Sequence, residues 1–170
     1  MELITENFIL RPFRPEDAES IAHHANNRNV WRNLRDAFPH PYTIDNAREW
    51  IDGIIGSGLG TEAVIEINGQ AAGAVGVHPG ADVNRLQAEF GYWLGEEFWG
   101  RGIMSAAAAE FVKYVFQNFN FERIQSFVFE WNPASARVLE KAGFSLDARL
   151  RKSIYKDCQL IDCFLYSKLR

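Results

Sequence analysis

The chain has 170 residues, nearly half of them apolar, and a formal charge of −4. That length and apolar content suffice for one domain, residues 1–170, with its own core. The acidic balance argues against nucleic acid, which would want a basic surface, and is compatible with an amine-bearing partner.

The first residues, MELITENFILRPF, lack the apolar stretch of a signal peptide, and no apolar run is long enough to span a bilayer. No membrane partner is expected. The two cysteines, Cys158 and Cys163, are five apart. On one strand they would face opposite sides and could not easily pair, so a reduced, cytoplasmic setting is expected.

In chain order, Phe8-Ile9-Leu10 reads as a strand ending near Pro12, and Pro15-Glu16-Asp17 starts a helix that runs to Asn26 or Asn27. A short helical piece around Val30-Trp31 precedes the breaker-rich Phe38-Pro39-His40-Pro41. Thr43 is the expected N-cap of a helix with Ile44, Ala47, Trp50, Ile51, Ile54 and Ile55 at helical spacing, stopped by Gly56-Ser57-Gly58. Glu62 to Ile67 alternates as a strand, Asn68-Gly69 is a two-residue hairpin turn, and Gln70 to Val77 returns. Gly73 and Gly76 in that return strand point to a close backbone approach or a bulge. After a polar loop, Pro79 to Arg85, comes the strand Gln87 to Leu94.

Gly100-Arg101-Gly102 then opens a helix from about Gly102 to Asn118, with Met104, Ala107, Ala108, Phe111, Val112, Val115 and Phe116 as its apolar stripe. Ile124 to Phe129 is the next strand. Asn132-Pro133 opens a short helix that Gly143 closes. Phe144 to Ile154 and Leu160 to Leu169 form a final pair joined near Lys156-Asp157. This order predicts an α+β fold on a mixed sheet.

A tight glycine loop leading into a helix leaves backbone N–H groups without partners, and the helix dipole adds positive potential. Such a place seats a phosphate or pyrophosphate. Here the loop reads Trp99-Gly100-Arg101-Gly102-Ile103-Met104, and one helix and one strand later comes Asn132-Pro133-Ala134-Ser135 running to Gly143-Phe144. Together with Leu10-Arg11-Pro12-Phe13 at the start and Asp162 through Tyr166 at the end, these residues resemble the GNAT acyltransferase superfamily, in its RimJ/RimL branch. The loop departs from the superfamily's general form at Trp99, where Gln or Arg is usual, and at Met104, where Gly or Ala is usual. Trp-Gly-x-Gly is common in the branch. The resemblance covers the whole chain.

The resemblance implies a central twisted, mostly antiparallel sheet with helices on both faces. It splays between its fourth and fifth strands, here those ending at Leu94 and Phe129. It implies an acetyl-CoA-dependent N-acetyltransferase with no metal, whose pantetheine lies in the splay. Trp99, Gly100, Arg101, Gly102, Ile103, Met104 and Ser105 would hold the pyrophosphate, with the backbone N–H of Trp93 or Leu94 as oxyanion donor. Asn132 reads both as an N-cap and as a cofactor contact.

Many members carry a tyrosine acid seven residues after this asparagine; Leu139 stands there instead. In the branch, Ser135's counterpart is the proposed acid, acting by hydrogen-bonding the thiolate or relaying a water's proton; it reads equally as a plain first-turn polar residue. Glu89 is the candidate base, through water, with Glu130 second. Trp31, Phe38, His40 and Tyr42 are the expected acceptor wall, and His78 lies at a strand end near the expected cleft. His23, His24, His40 and His78 show no metal-ligand spacing.

The expected acceptor is the α-amine of a protein or peptide. A small amine such as a polyamine, antibiotic or amino acid is the alternative, and a non-catalytic acyl-CoA-binding module the reading of another class. A homodimer is an allowed assembly.

Overall fold

A computed structural model describes residues 2–170. Its strands are β1 Leu3–Ile4, β2 Ile9–Arg11, β3 Glu62–Ile67, β4 Gln70–Pro79, β5 Gln87–Leu94, β6 Arg123–Phe129, β7 Ser145–Lys156 and β8 Gln159–Leu169. Its helices are α1 Ala18–Ala25, α2 Arg28–Trp31, α3 Ile44–Ser57, α4 Ile103–Asn118 and α5 Pro133–Lys141. The strands stand in the order β1-β2-β3-β4-β5-β6-β8-β7. The β1–β2, β2–β3, β3–β4, β6–β8 and β7–β8 ladders are antiparallel and β5–β6 is parallel, so the sheet is mixed and mostly antiparallel as expected. No helix is long and apolar enough to cross a membrane among the described residues.

The chain forms two compact units, and neither is a contiguous stretch. One takes the residues to Gly76 together with Tyr92–Ile103; the other takes Val77–Gly91 together with Met104–Arg170.

In the first unit α3 has the cap its sequence predicts. Thr43 Oγ1 accepts from Asn46 N, the Asn46 side chain accepts from Thr43 N, and Gly58 ends the helix with φ of 60°. Asn68 and Gly69 both have positive φ, 51° and 77°, as a two-residue hairpin turn requires. The core gathers Phe13, Ile21, Val30, Tyr42, Ile51, Val64 and Trp93. Arg11 is buried with its charge matched: its two terminal nitrogens donate to Asp17 at 2.8 and 2.7 Å, and its Nε donates to Glu66. That is a physical reason for the Leu-Arg-Pro-Phe start, since a buried cation must be paired. Gly73 bears out the close approach expected of it. A Cβ there would lie 2.4 Å from the Trp93 carbonyl oxygen.

In the second unit the stripe of α4 is buried at Ala107, Ala108, Phe111, Val112 and Val115. Phe90 of β5 stacks on Phe111 and Phe144, with centroids 6.1 and 6.0 Å away. The β5–β6 ladder pairs Gln87–Glu89 with Arg123–Gln125. At the next position the Ser126 hydroxyl donates to the Phe90 carbonyl at 2.9 Å.

One local reading, the position of the β7–β8 turn, needs correction. Cys158 does not share a strand with Cys163. It sits exposed in the β7–β8 turn, where Asp157 and Cys158 have φ of 51° and 59°, while Cys163 is buried in β8; both are free thiols. The turn is thus one residue later than expected, because the two positive-φ residues are Asp157 and Cys158. The short edge strand β1 has no counterpart in the periodicity, since two residues carry no period. β7 also carries an irregularity between Leu150 and Ile154, with Lys152 at φ 49°. Asp162 accommodates it, accepting from the Lys152 backbone N–H at 2.8 Å and from Arg149 Nε. Those bonds hold its carboxyl below the usual range.

Candidate active site

β5 ends at Leu94, a 3-10 turn follows at Glu96–Phe98, and Trp99–Gly102 leads into α4. The end of β5 is held from several sides within its unit. Gly95 N donates to Ala72 O at 2.8 Å, and Gly73 lets the Trp93–Leu94 backbone come close. The Trp99 indole N–H donates to Leu94 O at 2.8 Å. This bond explains Trp99 at the head of the loop: it fastens the loop to the strand end that precedes it, while the ring remains partly exposed. Sequence reading placed Trp99 in the motif but missed this partner, which lies five residues back and is a backbone atom.

Gly100 and Gly102 have φ of 75° and 77°, conformations that side chains other than glycine's adopt only with strain. A Cβ at either would meet no protein atom within 4 Å. The glycines are therefore required by backbone shape, and they leave room for a ligand to approach. α4 begins at Ile103 with no acidic residue in its first turn, whereas α3 has Asp45 there and a capping side chain besides. The first-turn N–H groups of α4 thus face no local carboxylate competitor for an anion. The Arg101 guanidinium lies over the Phe98 ring, 5.5 Å from its centroid. These features fit a pyrophosphate on residues 100–105.

At α5, Asn132 Oδ1 accepts from Ser135 N at 3.2 Å, and Pro133 takes the first helical position. The cap reading of Asn132 is borne out. Ser135 is half-buried on the first turn, and Leu139, in the place of the tyrosine, is fully buried. Tyr166 is also buried, with its hydroxyl donating to Glu140 at 3.2 Å; burial and that carboxylate push its pKa up. Glu89 is half-buried on β5 opposite Gln125, and its charge joins burial in raising the Cys163 thiol.

The first unit brings most of the expected acceptor residues together. Phe38 packs on Tyr42 at 4.6 Å and edge-on to Trp93 at 5.8 Å, and Trp31 meets His40 at 5.6 Å. Arg28 lies over the Trp31 ring. Burial pushes the Tyr42 phenol up to about 12. His78, exposed on β4, belongs to the other unit.

A glycine loop opening a helix, with an Asn-Pro-capped helix one strand later on a mostly antiparallel mixed sheet, is the arrangement expected of an acyl-CoA-dependent transferase. The chain belongs to the GNAT family: the profile of the "Acetyltransferase (GNAT) domain" matches residues 7–145. It is an N-acetyltransferase that uses acetyl-CoA. It is 30% identical to "Putative ribosomal N-acetyltransferase YdaF" of Bacillus subtilis over 98% of this chain and 93% of that one. Its fold is similar to the ribosomal-protein-S5-alanine acetyltransferase of Vibrio fischeri, with a TM-score of 0.85 and 22% identity over 99% and 96% of the two chains. It is also similar to the spermidine N-acetyltransferase of Vibrio cholerae, solved with CoA and spermine, with a TM-score of 0.79 and 22% identity over 97% and 96%. The likeness to the ribosomal N-acetyltransferase supports the RimJ/RimL-like branch, while the two solved structures show the fold.

Proposed function

We propose that this acetyltransferase acts on the N-terminal α-amine of a protein or peptide. The observation that carries this is the charge of the segment bearing the acceptor-side aromatics. Residues 28–42 hold Arg28, Arg32 and Arg35 against Asp36 alone, with Trp31, Phe38, His40 and Tyr42 among them. A cationic, aromatic stretch disfavours a polyamine, which carries several positive charges, and suits a peptide with acidic residues behind its N-terminus. The relation to a protein named as a ribosomal N-acetyltransferase supports the same reading.

Acetyl-CoA supplies a thioester whose acetyl carbon the amine nitrogen attacks, so that a C–N bond forms, the C–S bond breaks, and the amine's proton is lost as the sulfur gains one. The chain's own residues make this possible in stages. Backbone N–H groups of residues 100–105 hold the pyrophosphate, with Arg101 adding charge. Trp93 or Leu94 N–H stabilises the carbonyl oxygen as negative charge gathers on it. An α-amine has a pKa near ~8, against ~10.4 for lysine, so a modest base suffices to make it neutral. Glu89, through a water, is that base. Ser135 assists the thiolate by a hydrogen bond, and Asn132 fixes the turn that presents it.

The test is thiol release and mass spectrometry on peptides with free N-termini and acidic or basic second residues, with spermidine and lysine as comparison amines. Acetylation at the peptide α-amine, fastest behind acidic residues, is expected. Faster turnover on spermidine would replace this acceptor with a polyamine, and binding without turnover on any amine would make the chain a sensor.

A further inference from the structure

We propose that His23, His24 and Glu97 form a binding site for a divalent transition-metal ion of the zinc class, independent of the acetyl-transfer residues. One donor atom from each of the three lies within 4.8 Å of the other two. His24 Nδ1 stands 3.3 Å from Glu97 Oε1. That is the edge of a tetrahedron around zinc, where bonds of ~2.0–2.1 Å put neighbouring ligand atoms about 3.4 Å apart. Two imidazoles and one carboxylate leave a fourth position for water. The donor types, nitrogen with one oxygen, select zinc or a neighbouring transition metal over magnesium or calcium, which take oxygen ligands.

The site is built around the buried histidine. The His24 side chain is only 3% exposed, the Phe98 ring meets it edge-on at 5.4 Å, and His23 meets it at 4.9 Å. Gly95 makes room for it, since a Cβ there would lie 2.9 Å from His24 Nδ1. The Glu96–Phe98 turn that carries Glu97 is itself anchored: the Asn27 and Asn29 side-chain amides donate to the two carboxylate oxygens of Glu96 at 2.7 and 2.9 Å.

Burial disfavours the protonated imidazole of His24 and lowers its pKa, with His23 acting the same way against Glu97 and Gln70. Its Nε2 is buried without a hydrogen bond of normal geometry, Gln70 being the polar side chain near it. With a metal on Nδ1, that nitrogen carries the ring's proton. His23 and Glu97 are exposed and free to close the remaining distance by rotation. Sequence spacing could not reveal the set, because Glu97 lies more than seventy residues after the histidines. A bound ion would tie the C-terminal end of α1 to the turn that leads to Gly100.

The experiment uses untagged, full-length protein freed of metal by a chelator. Zinc is titrated calorimetrically, cobalt(II) by visible absorption. One ion per chain is expected, with the ligand-field bands of a four- or five-coordinate cobalt centre. His23→Ala and Glu97→Gln, both exposed positions, should each weaken binding by at least ~10-fold, no less than the loss of a group that merely supports a ligand. His24→Gln should do the same, but its burial makes the two exposed variants the deciding ones. Zinc should also raise the melting temperature of the wild type and not of His23→Ala. Binding well below one ion per chain, or wild-type affinity in both exposed variants, overturns the proposal. Neither result bears on acetyl transfer, which the chelated protein can be assayed for separately.

Discussion

At Gly73 a single missing methyl group decides whether β4 can sit against the backbone of Trp93 and Leu94. Gly73→Ala would put a carbon 2.4 Å from a carbonyl oxygen, and backbone cannot yield as a flexible side chain would. A loss of about 1–3 kcal/mol is expected, the range for overpacking, measured by urea denaturation. The same strand end carries the N–H groups assigned to the oxyanion, so kcat should fall as well.

Tyr42 offers a test of burial. Its phenol is pushed up to about 12 from 10, so the folded chain holds the proton longer than the unfolded chain. The resulting stability is complete below pH 10 and is lost as pH rises towards 12. Tyr42→Phe should flatten the fall in unfolding free energy over that window. An unchanged slope would mean that Tyr42 is not the group responsible.

Among the elements, α5 separates structural from catalytic roles. Asn132→Ala should cost ~1 kcal/mol through the lost cap, and it should weaken acetyl-CoA binding if the asparagine also touches the cofactor. Normal binding in a destabilised protein would leave it a cap alone. Ser135→Ala should lower kcat by ~10- to 100-fold with little change in the Kd for acetyl-CoA, at or just below the usual range for positioned acid catalysis. The effect is modest because coenzyme A's thiol, with a pKa near that of cysteine, ~8.5, leaves fairly well unaided. Wild-type kcat would return Ser135 to the helix turn.

These elements were legible because their signals are local. Thr43, Asn68-Gly69 and Asn132-Pro133 each make bonds or set angles within three residues of themselves. What escaped depends on distant partners. The bond from Trp99 ends on a backbone atom, the irregular stretch of β7 is held by Asp162 from the next strand, and Glu97 meets His24 only in the fold. The loop's glycines were readable by type, and only the backbone angles show that both need a left-handed conformation.

On the scale of the whole molecule, charge and its placement oppose one another. The chain is acidic overall, yet residues 28–42 are net cationic. Association of an acidic peptide with that stretch should be screened by salt, the Debye length shrinking from ~10 Å at 0.1 M to ~3 Å at 1 M. KM for acidic peptides should therefore rise with ionic strength while KM for neutral peptides stays level. A salt-independent KM would remove the arginines from acceptor recognition.

The interleaving of the two units sets a condition on synthesis. The unit begun by the N-terminal residues is not complete until Tyr92–Ile103 has been made. A nascent chain that has reached only Gly76 therefore carries β3 and much of β4 but lacks Trp93, a member of that unit's core, and the Gly95 N–H that pairs with Ala72. On the ribosome the packing of this unit is therefore completed no earlier than the synthesis of the stretch that carries Trp93 and Gly95.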